Sequence, residues 1–211
     1  MPETTRRRIV VGVTGASGAL YAQRLLDCLD CGGVDVHLVV SPKGWRLAAD
    51  ELSVEARSVE ALLGRPTRRI TLYPHEDIGA RIASGSFRTD GMIICPCSSH
   101  SLGGIAAGLG DNLLLRAAAV TLKEARRLVV VPREMPMSQI DLRNSLRLSE
   151  AGAILCPASP GFYMRPQTVG DLVDSVVGKL LDLFDVSHAL NTRWAGTAPG
   201  GTAGNEGSMQ S

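Results

Sequence analysis

The chain has 211 residues, of which 45% are hydrophobic and 4% aromatic, and its formal net charge at pH 7 is +1. This length and hydrophobic content allow one sizeable core. A charge so close to zero gives no electrostatic basis for binding nucleic acid or an anionic membrane, and so few aromatic residues argue against base-stacking platforms. No apolar run approaches the roughly 18 residues of a membrane span. The five cysteines are an odd number, which argues against a disulfide framework.

Short apolar, β-branched runs alternate with helical patterns along the chain. The predicted strands are residues 8–13, 34–40, 68–73, 91–96, 126–132 and 153–157. The predicted helices are residues 17–30, 43–52, 77–84, 113–125, 138–152 and 169–184. This alternation indicates parallel βαβ units. We therefore predict a single α/β domain over residues 8–194, with a doubly wound, mainly parallel sheet of the Rossmann or flavodoxin-like type and helices on both faces. Residues 1–7 are predicted to be a flexible N-terminus and 195–211 a disordered Gly/Ser-rich tail.

Small, hydroxyl-bearing and charged residues follow the predicted strands. Residues 15–18 follow the first strand, Ser41 the second, residues 97–101 the fourth and residues 133–134 the fifth. In an open parallel sheet, ligands bind outside the carboxyl ends of the strands, so these segments should meet at one rim. Hydroxyl and amide donors at helix N-termini suit a phosphate. The sequence therefore predicts a phosphate-binding site at this rim.

The stretch "TGASGAL" is also typical of a short-chain dehydrogenase, which would bind a nicotinamide dinucleotide. That class needs a tyrosine four residues before a lysine, and none of the three tyrosines of the chain has a lysine at that spacing. The second strand ends in Ser41, where a dinucleotide-binding fold carries an acidic residue for the ribose hydroxyls. The glycine pattern therefore lacks its partners, and the dehydrogenase interpretation is disfavoured.

Five segments resemble the flavin prenyltransferases of the UbiX type, in the order of that family: "GVTGASGALYAQRLL", "DIGARIASGSF", "GMIICPCS", "AAGLGDNLLLRAAAVTLKEARRLVVVPRE" and "PGFYMRPQTVGDLVDSVVGKLLDLF". The resemblance implies a metal-independent transferase that joins a dimethylallyl group from dimethylallyl monophosphate to N5 and C6 of reduced FMN. The product, prenylated FMN, would serve a UbiD-type decarboxylase. The resemblance also implies a cytoplasmic homo-oligomer, a dodecamer, with sites at subunit contacts.

Roles for individual residues follow from the same resemblance. The residues implied to bind FMN are Gly15, Ala16, Ser17, Ser41, Ser98, Ser99, His100, Ser101 and Arg133. Those implied to surround the prenyl phosphate are Arg116, Lys123, Arg133, Glu134, Tyr163, Lys179 and Trp194. The implied catalytic residues are Ser17, Glu51, Lys123 and Glu134. Of these, Glu51 with Ser17 would handle a proton near N5, Lys123 would face the departing phosphate and Glu134 would accept a proton. No residue is implied to bind a metal.

Two positions depart from the family pattern. His100 stands where the family usually has a lysine or arginine, and Lys179 stands where many members have arginine, which binds phosphate through two parallel hydrogen bonds. Two other functions therefore stay open. One is an FMN-dependent decarboxylase of peptidyl or pantothenoyl cysteine, for which His75 is the candidate catalytic histidine. The other is a non-catalytic FMN-binding subunit of a decarboxylase complex.

Overall fold

The computed structural model describes residues 6–163 and 165–190. The strands are β1 (Arg8–Val13), β2 (Asp35–Val40), β3 (Ile70–Tyr73), β4 (Gly91–Cys97), β5 (Arg127–Pro132) and β6 (Ile154–Leu155). The helices are α1 (Ala19–Cys31), α2 (Pro42–Leu52), α3 (Val59–Leu63), α4 (Ser99–Ala106), α5 (Leu113–Lys123), α6 (Gln139–Glu150) and α7 (Val169–Leu183), with a 3₁₀ turn at Arg81–Ala83. Trp194 and the predicted tail lie outside the described residues.

The six strands form one sheet in the order β3-β2-β1-β4-β5-β6, and every neighbouring pair is parallel. On one side of β1 the chain adds β2 and then β3 at the edge of the sheet. It then crosses back, and β4 pairs with β1 on the other side. The strand order therefore reverses between β1 and β4, and a ligand crevice is expected beyond their carboxyl ends. This arrangement confirms the predicted Rossmann-like α/β fold.

Two apolar layers cover the two faces of the sheet. Ile9 and Val11 of β1 pack with the apolar sides of α1, α2 and α7, whereas Val10 packs with α5 on the other face. The helix α5, which is apolar nearly all round, has Leu113, Leu114 and five further residues buried within this single chain. A helix that is apolar all round has to be buried in a core or in an interface. The core of this single chain buries most of α5.

The structure differs from the sequence prediction in two helical segments. Residues 77–84 were predicted to form a short helix but contain only the 3₁₀ turn. The helix α4 was not predicted, because the paired glycines at 103 and 104 lower helix propensity. A Cβ at Gly104 would lie 3.1 Å from Leu115 Cδ1 of α5, so the glycine lets the two helices pack closely. Close packing of the two helices thus overrides local propensity.

Cys95 and Cys97 are buried in β4, whereas Cys31 is exposed at the end of α1. In the part of the chain that the structure describes, no helix combines the length and hydropathy needed to cross a bilayer.

Candidate functional site

Three helices begin at one cavity on the rim of the sheet. Their N-cap residues are Ser41 for α2, Ser98 for α4 and Asn112 for α5, and all three line a cavity of about 220 Å³. The first turns of these three helices contain no acidic residue. Because the free N–H groups and the macrodipole of each helix favour negative charge at its N-terminus, the cavity is suited to an anion.

The other long helices of the described chain carry a carboxylate at their N-termini. In α6 and α7 an aspartate of the first turn, Asp141 or Asp171, completes a capping box with the N-cap hydroxyl. In α1 the carboxylate comes from α2: Glu51 accepts hydrogen bonds from Gly18 N–H at 2.9 and 3.2 Å and from Ala19 N–H at 2.7 Å. At the three helix N-termini of the cavity, the described residues show no carboxylate bound to a backbone amide of the first turn, and at α4 the Glu134 carboxylate accepts from the Ser99 side chain instead.

The cavity brings together five of the residues predicted to bind FMN. These are Gly15, Ser41, Ser98, His100 and Ser101. Ser98 Oγ accepts from Ser101 N–H at 3.3 Å and donates to Ser101 Oγ at 3.2 Å, so the start of α4 is held by its own hydroxyls. Ala16 is buried and Ser17 is exposed in the adjoining turn.

A second group of predicted residues lies on the same rim beside the cavity. Ser99 Oγ donates to Glu134 Oε2 at 2.9 Å, which connects the start of α4 to the segment after β5. Arg133 N–H donates to Cys97 O at 3.2 Å, and its guanidinium partly offsets the rise in the pKa of Tyr21 that burial causes. Arg133 is therefore near α1 and β4, and its side chain is exposed.

Two predicted phosphate ligands on α5 do not line the cavity of the same chain. Arg116 and Lys123 belong to α5, which starts at the cavity and runs back toward the amino ends of the strands. Lys123 is eight residues beyond Leu115, about 12 Å along the helix axis. The "ASGSF" segment runs alongside α5, since Arg116 Nε in the first turn donates to Ala83 O at 3.3 Å and Arg126, just beyond the helix, donates to Phe87 O at 2.8 Å.

Two further predicted residues line a separate cavity. Tyr163 and Lys179 lie at a cavity of about 300 Å³ between the segment after β6 and the helix α7. Cys156 lies in the same wall, where burial raises the pKa of its thiol and the Lys179 ammonium offsets part of the rise. The predicted site residues of one chain thus fall into three places: the rim, the amino edge beside α5, and this cavity.

Some residues at the rim cavity were not predicted to bind FMN, among them Lys43, His75 and Asn112. The Nδ1 atom of His75 is buried and has no hydrogen-bond partner among the described residues. Burial lowers the pKa of His75, so the ring is neutral at pH 7. Asn112 could have been found from the sequence as the N-cap of an apolar helix, and His75 was considered only as the catalytic histidine of a decarboxylase, whereas Lys43 carries no local signal.

The residues at the cavity fit the phosphate end of a flavin mononucleotide. Three neutral N-caps and the nearby Lys43 offer donors to an anion and its polar chain. The cavity is smaller than the roughly 300–1,000 Å³ typical of complete ligand sites, so it suits the phosphate and adjoining chain better than a whole flavin. Among the described residues, no group of three or more His, Cys, Asp or Glu side chains is placed to hold a metal ion.

Comparison with known proteins identifies similar sequences over most of the chain. The sequence pattern of a family described as "Flavoprotein" matches residues 2–182. A flavin prenyltransferase UbiX from Halalkalibacterium halodurans is 47% identical over 188 residues, which cover 87% of this chain and 91% of that protein.

Two solved structures are similar over nearly their whole length. AnUbiX in complex with FMN and dimethylallyl pyrophosphate is 42% identical, with a TM-score of 0.84 over 91% of this chain and 99% of that chain. A dodecameric FMN-dependent UbiX-like decarboxylase from Escherichia coli O157:H7 is 45% identical, with a TM-score of 0.82 over 90% of this chain and 100% of that chain.

Proposed function

Because the chain belongs to the flavoprotein family and, within it, to the flavin prenyltransferases of the UbiX type, we propose that it joins a dimethylallyl group from dimethylallyl monophosphate to N5 and C6 of reduced FMN. The observation that supports this most strongly is the convergence of three neutral-capped helix N-termini on one rim cavity. Helix N-termini with uncharged caps favour the binding of a phosphate.

The FMN phosphate is assigned to the start of α4. Ser98 and Ser101 offer hydroxyls there, and Ser41 and Asn112 contribute the N-termini of two more helices. His100 lines the same cavity and takes the place of the basic residue usual in the family. The turn at residues 15–17 is assigned to the flavin beyond the phosphate. Arg133, exposed on the same rim, is placed for a phosphate of either substrate.

Reduced FMN supplies the two ring positions that accept the five-carbon group, while the departing phosphate carries away the electron pair of the broken carbon–oxygen bond. The second bond uses the electron pair of the prenyl double bond, so one of the two protons displaced from N5 and C6 is passed to the other carbon of that double bond and the other leaves with the phosphate. These protons need a group that accepts them and passes them on. Glu134 stands on the rim, oriented by Ser99, and is assigned this role together with the released phosphate. Ser17 directly precedes Gly18, whose N–H donates to the Glu51 carboxylate, so Ser17 and Glu51 belong to the same turn. We assign both to proton handling near N5.

The departing phosphate needs cations, since they stabilise the charge that develops on it. Lys123 lies about 12 Å along α5 from the rim cavity of its own chain, and the Arg116 side chain is hydrogen-bonded to Ala83 O and does not line that cavity. We therefore assign them to the site of a neighbouring copy. Tyr163 and Lys179, in their separate cavity, belong to the same phosphate-binding set, as does Trp194, which lies outside the described residues.

An oligomer built in this way would cover an exposed apolar surface. Met135 is 88% exposed, and Ile140, Leu142 and Leu146 of α6 are exposed by 71%, 55% and 60%. Apolar side chains clustered at the surface are typical of interaction sites. We propose a homo-oligomer, a dodecamer like the E. coli relative named above.

A second candidate function is an FMN-dependent decarboxylase, and the position of His75 at the rim cavity favours it. A neutral histidine close to bound flavin is a suitable general base. The third candidate, a non-catalytic FMN-binding subunit, rests only on the substitutions at positions 100 and 179.

The product is proposed to serve a UbiD-type decarboxylase in the cytoplasm, an assignment that rests on the family resemblance. The test is a transfer assay under anaerobic conditions. The protein is incubated with reduced FMN and dimethylallyl monophosphate, and the small-molecule filtrate is added to an apo UbiD-type decarboxylase. Activation by this filtrate, and none by a filtrate prepared without the donor, is the expected result. No activation in either case contradicts the proposal.

A further inference from the structure

A second cavity adjoins the rim cavity at the first turn of α2. This cavity, which we call the α2 cavity, lies between α2 and the segment after β3 and has a volume of about 290 Å³. It shares Pro42 and His75 with the rim cavity. Complete ligand sites start at roughly 300 Å³, so a cavity of this size suits a small molecule better than a nucleotide. The proposed function assigns no role to it.

Trp45 presents to the α2 cavity a polar group that has no protein partner. The residue lines this cavity and is otherwise buried, with 8% of its surface exposed. Its Nε1–H donates to no acceptor among the described residues, and the atom is not enclosed by protein. The N–H therefore opens onto the cavity. Since a buried tryptophan N–H usually has an acceptor, this one marks a position for an acceptor atom of a ligand.

Two side chains of opposite charge also line the α2 cavity. Arg57 and Glu76 are both exposed, and neither forms an ion pair with the other or with another described residue. A guanidinium binds a carboxylate through two parallel hydrogen bonds, whereas a carboxylate accepts from an ammonium group. The wall also contains apolar Val40, which is buried, and Leu72, which is half-buried. The cavity thus offers a cation, an anion and an apolar surface to one ligand.

We propose that the α2 cavity is a second small-molecule site, which binds an α-amino acid with a bulky apolar side chain as its zwitterion. The carboxylate is bound by Arg57 and by the N–H of Trp45, and the ammonium group is bound by Glu76. The apolar side chain packs against Val40 and Leu72. A simple carboxylate would be repelled by Glu76, and a simple amine would be repelled by Arg57 and would leave both donors unused. None of these five residues has a role in the proposed function, so the site stands apart from it.

Calorimetric titration of the full-length protein with three compounds of similar shape tests this charge pattern. L-Phenylalanine carries both charges, phenylpropionate only the carboxylate and phenethylamine only the ammonium group. L-Phenylalanine should bind at one site per chain. Each single-charge compound should bind about tenfold more weakly or worse, because it lacks one charge-assisted contact. The titrations are run without flavin and again at saturating FMN, and the site should be available in both.

Three variants test the location of the site. Arg57→Gln changes an exposed side chain and should weaken L-phenylalanine binding about tenfold or more, while abolishing its advantage over phenethylamine. Trp45→Phe keeps a ring in the wall without the N–H and should weaken binding about fivefold. Arg46→Gln is the matched control, because Arg46 is an exposed arginine of α2 that lies 3.8 Å from Asp50 and does not line the cavity. It should bind L-phenylalanine like the unmodified protein. If Trp45→Phe does not fold, Arg57→Gln decides.

Absence of L-phenylalanine binding overturns the proposal, and so does an equal affinity for either single-charge compound. Unchanged affinity in Arg57→Gln overturns it as well. Displacement of L-phenylalanine by FMN would place the amino acid in the rim cavity and would also contradict a second site. Failure of the proposed function is distinguishable from all of these, since a chain that binds L-phenylalanine as described but transfers no prenyl group would contradict only the proposed function.

Discussion

Ser99 Oγ donates a hydrogen bond of 2.9 Å to Glu134 Oε2. Because Ser99 is in the first turn of α4 and Glu134 follows β5, this bond fixes the position of the carboxylate relative to the rim cavity. The same hydroxyl also contributes to lowering the pKa of Asp141, after the larger effects of Ser138. Ser99 is thus a positioning residue for the proposed proton acceptor.

We predict that Ser99 acts through Glu134. Glu134→Gln should lower the single-turnover rate by about 10²-fold or more, as loss of a general base does. Ser99→Ala should lower it roughly tenfold, equivalent to about 1.4 kcal/mol. The double variant should be as slow as Glu134→Gln alone. Rates that multiply in the double variant would show that the two residues act independently.

Ser98 is predicted to serve both as a helix cap and as a phosphate ligand. Ser58, the N-cap of α3, accepts a hydrogen bond from Ala61 N–H at 3.1 Å and lies away from the cavity, so it is a matched control. Ser98→Ala and Ser58→Ala should each lower the free energy of unfolding by about 1 kcal/mol in urea denaturation. Only Ser98→Ala should weaken FMN binding, by roughly tenfold in a fluorescence titration. Equal FMN affinities in the two variants would remove Ser98 from the site.

Active sites shared between copies can be detected by mixing two inactive variants. We predict that Lys123→Ala and Glu134→Gln are each slow, and that activity returns when the two chains are assembled together. A complete site needs Glu134 from one chain and Lys123 from its neighbour. With random mixing in equal amounts, about one quarter of the sites meet this condition. Light scattering should first confirm a mass of many chains. If mixed oligomers are no faster than either variant, Lys123 does not act in a neighbour's site.

His37 should make stability depend on pH. Its Nδ1 lies 2.9 Å from the hydroxyl oxygen of Tyr73, and its ring packs edge-on against Phe87. Burial, with smaller contributions from the guanidiniums of Arg81 and Arg8, lowers the pKa of His37 from 6.5 to about 4. The unfolded chain therefore binds a proton at His37 below pH 6.5 that the folded chain takes up only near pH 4.

The free energy of unfolding should consequently fall as the pH drops from 6.5 toward 4, by about 2 kcal/mol at pH 5 relative to pH 7. Urea denaturation at the two pH values measures the loss. His37→Phe should remove most of it, while the matched control His100→Asn, at an exposed position, should retain it. An identical pH dependence in His37→Phe would show that other groups cause the loss.

The sequence is sufficient to predict the parts of the fold that depend on local patterns. β1 was predicted at its observed bounds, and β4 and β5 to within one residue, because buried parallel strands are continuous apolar runs. The rim cavity was predicted from the same pattern, since the carboxyl ends of parallel strands meet at one edge of the sheet. Ser41 and Ser98 line it for that reason.

Contacts between distant segments were beyond the reach of local patterns. The turn at residues 15–18 was interpreted as holding a phosphate, but Glu51, more than thirty residues away, already accepts from Gly18 and Ala19. Lys123 was assigned to the prenyl phosphate by resemblance, and only the direction of α5 reveals that it points away from the cavity of its own chain. Such facts depend on how helices cross the sheet, which spacing along the sequence does not specify.

Transfer of a prenyl group to flavin by this chain changes the mass of the flavin, which can be measured. The full-length protein is incubated anaerobically with reduced FMN and dimethylallyl monophosphate, then denatured, and the released flavin is examined by mass spectrometry. We expect a flavin heavier than FMN by one prenyl unit, formed only when protein and donor are both present. Recovery of FMN alone, from protein shown to have bound both flavin and donor, would contradict it.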